Sequence, residues 1–144
     1  MRFMVLIIPG DKKVEAGAMP SKAQIDAMMK YNEELTKAGV LLALDGLHPT
    51  SKGARISFQG GKRSVVDGPF SEGKEVIGGY WLWQVKSREE AIAWASRCPA
   101  ADGDVLEIRQ VFDLADFGAE VVNDETTLRV QEGIDENRRR TTSS

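Results

Sequence analysis

At 144 residues the chain has room for one domain with a core large enough to fold on its own. Hydrophobic residues make up 42% and charged residues 28%, an ordinary globular balance. A net charge of -3 gives no field that would draw the whole molecule to nucleic acid or to an anionic membrane.

The chain opens on a continuous apolar run, Phe3 to Ile8, closed by Pro9-Gly10. A strand of that kind has to be buried on both faces. The run is too short for a secretory signal core and no small-residue cleavage site follows it. No stretch approaches the ~20 apolar residues of a membrane span. A bacterial-type cytoplasmic protein is the expectation. The single cysteine, Cys98, excludes an internal disulfide.

Asp11 to Met19 reads as a polar loop. Ser21 with Gln24 three residues later is a capping-box pattern, in which each side chain serves the other residue's free backbone N–H. Ile25, Met28, Met29, Leu35 and Ala38 then recur at helical spacing, and Gly39 supplies the stop. Val40 to Leu44 is a second strand that runs into Asp45-Gly46-Leu47-His48-Pro49. Next, Ala54–Gln59 and Lys62–Asp67 flank Gly60-Gly61, the pair that a two-residue hairpin turn prefers.

Asp67-Gly68-Pro69-Phe70 is a turn, with Asp67 placed to accept backbone N–H groups beyond it. A charged loop and Gly78-Gly79 lead into the aromatic strand Tyr80 to Val85. Ser87 and Glu90 form a second capping box, before a short helix whose buried stripe is Ala91, Ile92, Trp94 and Ala95. The last strand, Val105 to Phe112, alternates: Leu106, Ile108 and Phe112 on one side, Glu107 and Arg109 on the other. From about Ala119 the chain is polar and weakly patterned, as in a short helix or a disordered arm.

This order, β-α-β, hairpin, β-α-β, predicts an α+β fold: the ferredoxin-like split βαβ with an inserted β-hairpin. Phe3–Ile8 and Tyr80–Val85, apolar on both faces, take the centre of the sheet, and the charged Val105–Phe112 takes an edge. Two helices cover only one face. Trp81 and Trp83 point one way and Tyr80 and Leu82 the other, so the open face needs a second layer. A second copy of the chain supplies it in a homodimer, a dimeric α+β barrel. The domain boundaries expected are 1–114 for the fold and 115–144 for a polar tail.

The stretches RFMVLI, AGVLLALDGLHP (Ala38–Pro49), VVDGPFSEGKEVIGGYWLWQV (Val65–Val85), EEAIAWASRCP (Glu89–Pro99) and EIRQVFD carry a resemblance that covers about residues 1 to 114. In them the chain resembles the YCII-related family, in the branch named for its Asp-Gly-Pro-Phe (DGPF) motif. The resemblance implies a dimeric ferredoxin-like fold and mostly unassigned biochemistry. Some relatives look like small enzymes with a His–Asp pair. Others accompany extracytoplasmic-function sigma factors, which implies a regulatory module with a sigma factor as partner. Relatives of this branch often carry glutamine at the position of His48, so the role that both residues can fill is polar contact with a ligand.

His48 is the only histidine and the one side chain that titrates near neutrality unaided. With Asp67 or Asp45 as orienting carboxylate it is the candidate catalytic residue of a lyase or isomerase type of enzyme. Asp45, Phe70, Ser71, Lys74, Glu75 and Tyr80 are the candidate ligand contacts, because a Lys–Glu pair beside aromatic walls suits a small polar or anionic molecule. Gly78-Gly79 lies in no phosphate-loop pattern. One histidine and one cysteine make no zinc set, so neither metal nor cofactor is expected. The aromatic strand lacks the interleaved basic residues of a nucleic-acid platform.

Overall fold

The computed structural model describes residues 1–70 and 76–142. By their internal contacts these form two units, Met1–Val111 and Phe112–Ser144.

The first unit holds a four-stranded antiparallel sheet in the order β2-β5-β1-β6, built from β1 (Arg2–Ile8), β2 (Leu41–Gly46), β5 (Gly79–Gln84) and β6 (Val105–Gln110). The two runs that are apolar on both faces do take the centre, and β2 and β6 the edges. The hairpin of β3 (Ala54–Gln59) and β4 (Lys62–Asp67) stands apart as a two-stranded sheet. Its Gly60-Gly61 turn has φ of 56° and 75°, a left-handed conformation that glycine adopts without a steric cost. Helix α1 (Lys22–Lys37) starts with both halves of the Ser21–Gln24 capping box in place. At α2 (Arg88–Ser96) only half of the expected box forms. Ser87 caps the Glu90 amide, while the Glu90 carboxylate accepts from the Lys86 amide instead.

One face of the sheet packs on both helices. Phe3 and Val5 of β1 stand opposite Trp83 and Trp81 of β5, and all four are buried with Tyr31 and Leu35 of α1 and Ala91 of α2. The buried stripe of α1 is the expected one only in part: Leu35 is buried and Met28 packs against the core, but Tyr31 and Asn32 face the core too, while Ile25 and Met29 are exposed. Ile92 of α2 is likewise exposed, whereas Ala91 is buried and Trp94 and Ala95 pack against the core as expected. The Tyr31 hydroxyl donates to the Trp94 carbonyl at 2.6 Å and so ties α1 to α2.

Neither α1 nor α2 packs on the other face. There Met4 pairs with Leu82, Leu6 with Tyr80 and Ala43 with Leu82, all half-buried. On its β6 side Arg109 and Glu107 flank Met4 and Leu6. The sheet is thus apolar along its middle and charged along one edge.

The second unit contains a 3-10 turn (Leu114–Phe117) and helices α3 (Ala119–Val122) and α4 (Glu125–Thr142). The polar tail is therefore helical. Phe112 lies outside the last strand: β6 ends at Gln110, and Phe112 is exposed and stacks on Phe117 at 5.1 Å between ring centres.

Candidate functional site

The C-terminal end of β2 and the start of β5 bring Asp45 and Tyr80 together at one end of the sheet, with His48 three residues beyond Asp45. Asp45 and Tyr80 are paired across the two strands, and the Tyr80 hydroxyl donates to the Asp45 carboxylate at 2.6 Å. That bond, and the negative charge behind it, raise the tyrosine's pKa above its ordinary value. Beyond Asp45, the Leu47 amide donates to the Gly78 carbonyl at 2.9 Å, which fixes the backbone next to His48. Gly79 lies so close to β2 that a Cβ would stand 2.9 Å from the Asp45 carbonyl oxygen. The Gly78-Gly79 pair thus serves strand packing at that position.

Thr50, two residues after His48, joins three segments. Its hydroxyl and its amide both donate to Glu15 in the 11–19 loop, and its hydroxyl accepts from the Phe70 amide at 3.0 Å. The turn at Asp67–Phe70 is therefore built against Thr50. A Cβ on Gly68 would fall 1.6 Å from the Thr50 carbonyl oxygen, so no larger residue fits there. The Gly68 amide donates to the Gly53 carbonyl at 3.0 Å and closes the base of the hairpin. Phe70 is half-buried beneath the Arg55 guanidinium, 4.1 Å from ring centre to Cζ, a cation–π contact.

Two sequence expectations take a different form. The Phe70 amide goes to Thr50 and not to Asp67, and the residue two beyond Asp67 is Pro69, which has no N–H to give. His48 is exposed, and no hydrogen bond or ion pair joins it to Asp45 or Asp67 among the described residues. Asp67 is likewise exposed. Ser71, Lys74 and Glu75 lie outside the described residues. Glu15 and Thr50 are the site residues that sequence reasoning missed. Thr50 was within reach, since it follows His48-Pro49 in a turn segment. Nothing local marks Glu15.

The other reactive groups are unsuited to chemistry here. Cys98 is half-buried, and its burial, with Asp104 second, pushes the thiol up to about 11. A thiol protonated at neutral pH is a poor nucleophile. Among the described residues no group of three or more His, Cys, Asp or Glu could hold a metal ion. No described helix is long and apolar enough to cross a membrane.

Residues 1–115 match the family model of the YCII-related domain. The chain is also similar to an uncharacterized protein of Rhizobium meliloti (strain 1021), 37% identical over 79 residues. That alignment covers 52% of this chain and 64% of the relative's length.

Proposed function

The chain belongs to the YCII-related family, and from that premise we propose that it is a homodimer of the DGPF branch that binds a small polar or anionic molecule beside His48. The observation that carries this reading is the Thr50 junction. It holds the His48 loop, the Asp67–Phe70 turn and the Glu15 loop together, while His48 stays exposed, with no partner among the described residues, three positions beyond Asp45 of the Asp45–Tyr80 pair. The rigid backbone around an available imidazole suits a ligand contact, because the group needs no rearrangement before it binds. His48 and the Arg55 guanidinium over Phe70 provide donors for a carboxylate or phosphate. The half-buried apolar middle of the open sheet face supports the dimer, since a second layer would remove it from water.

Catalysis by His48 as general base stands second. It requires a carboxylate to orient the imidazole, and Asp45 is engaged by Tyr80. A regulatory role beside a sigma factor rests on the family resemblance alone.

Thermal unfolding against a panel of small carboxylates and phosphates tests the ligand reading. A ligand present at 100 times its Kd stabilises the folded state by about 2.7 kcal/mol, a readily measured rise in Tm. His48→Ala should leave the unliganded Tm in place and abolish the rise. A rise of the same size in the variant would remove His48 from the site.

A further inference from the structure

We propose that the β3–β4 hairpin is an arm that packs on a second copy of the chain, through the face formed by Ile56, Phe58 and Val65. The inference deepens the dimer of the preceding subsection and rests on it. The register places Ile56 opposite Val65 and Phe58 opposite Arg63 on one face, and Arg55 opposite Val66 on the other. Arg55 reaches the chain's own Phe70, so that second face is turned to its own site. On the first face the Arg63 guanidinium stands 5.7 Å from the Phe58 ring centre, a contact within the hairpin itself. Ile56, Phe58 and Val65 are 58%, 72% and 66% exposed, in a two-stranded sheet with every strand residue exposed. An isolated hairpin is marginal in water, and an exposed apolar cross-strand patch marks an interaction surface.

Two arguments make a second copy the occupant. The first is area. Four strands of about six residues give the open sheet face roughly 400 Å² in plan. A stable interface takes about 800 Å² from each partner. One hairpin face adds roughly 200 Å², which carries the total to roughly 600 Å² and closes half of the shortfall. The second is charge. Arg55, Lys62 and Arg63 against Asp67 give the hairpin +2, which leaves -5 for the rest of a chain of net -3. A basic arm on an acidic body complements a copy of itself, and like charges would not hold it off.

The base of the hairpin allows a clean test. Because the Gly68 amide bonds the Gly53 carbonyl, replacing residues 54–67 by Gly-Gly would leave that bond as the closing bond of a β-turn. Sedimentation equilibrium would compare the wild-type protein, this Gly-Gly variant and full-length Phe58→Asp, with circular dichroism as the check on folding. Phe58 is exposed within its own chain, so its substitution leaves the fold in place. The expected result is a wild-type dimer and an association at least about tenfold weaker in both variants. Wild-type association in both variants assigns the face to a different partner and overturns the proposal while the dimer stands. Loss of association in the Gly-Gly variant alone overturns the claim that the apolar face makes the contact. A wild-type monomer at micromolar concentration overturns the dimer itself.

Discussion

Trp81 and Trp83 are both buried in one core, yet their indole N–H groups meet different fates. Trp81 Nε1 donates to Asn32 Oδ1 at 2.8 Å, and Asn32 is itself buried. Trp83 Nε1 has no acceptor among the described residues. A buried donor left unmet costs about 1–3 kcal/mol, so the two sites respond differently to the same change. Phenylalanine at either position shrinks the side chain and opens a gap in the core. At position 81 it also orphans the Asn32 carbonyl oxygen, whereas at position 83 it removes a group that was already unpaired. Urea unfolding should therefore show Trp81→Phe costing more than Trp83→Phe, by about 1–3 kcal/mol. Equal losses would mean that the Asn32 bond contributes nothing. This pairing was missed in the sequence, because a polar residue in an amphipathic helix is read as a solvent-facing one. The spacing of Met28, Asn32 and Leu35, at i, i+4 and i+7, was nevertheless the signal that places Asn32 inside.

The elements themselves were largely legible, and for local reasons. Both strands of the hairpin were bounded correctly because Gly60-Gly61 determines the turn and the alternation on each side determines its length. The start of α1 was legible because a capping box lies within four consecutive residues. What joins the elements was not. Glu15 and Thr50 are 35 residues apart, and Thr50 and Phe70 are 20 apart, so their meeting depends on the path of the whole chain. The expectation that Asp67 organises its own turn failed for the same reason: a threonine from another loop had taken the Phe70 amide. Thr50→Val tests how much this junction holds. The variant keeps the side-chain shape and loses the hydroxyl, so the Phe70 amide and one Glu15 contact are left unmet. A loss of about 1 kcal/mol in global stability is expected, with markedly faster hydrogen exchange at the Phe70 amide. Exchange at the wild-type rate would show that the turn holds itself.

At the scale of the whole molecule, the fully buried apolar side chains among the described residues form one cluster, on one side of one sheet. The core comprises Phe3, Val5, Tyr31, Leu35, Val40, Trp81, Trp83, Val85 and Ala91, with further side chains packed on it as far along the chain as Ile108. None of these residues comes from the second unit, which begins at Phe112. The family match also ends at residue 115. The second unit, by contrast, has no buried residue in α4, and Leu128, Val130 and Ile134 of that helix are all exposed. Its helical start at Glu125 follows from Asp124, whose carboxylate accepts from the Thr126 and Thr127 amides, an N-cap that a reading based on apolar periodicity passes over. If the core is complete within residues 1–111, that segment expressed alone should fold. Its near-ultraviolet circular dichroism, which reports Trp81 and Trp83 in their fixed surroundings, should match that of the full chain. Its Tm should lie within about 4–8 °C, the shift that 1 kcal/mol produces in a domain of this size. A larger fall, or loss of the tryptophan signal, would mean that the second unit supports the sheet, and the boundary between core and tail would then have to move beyond Val111.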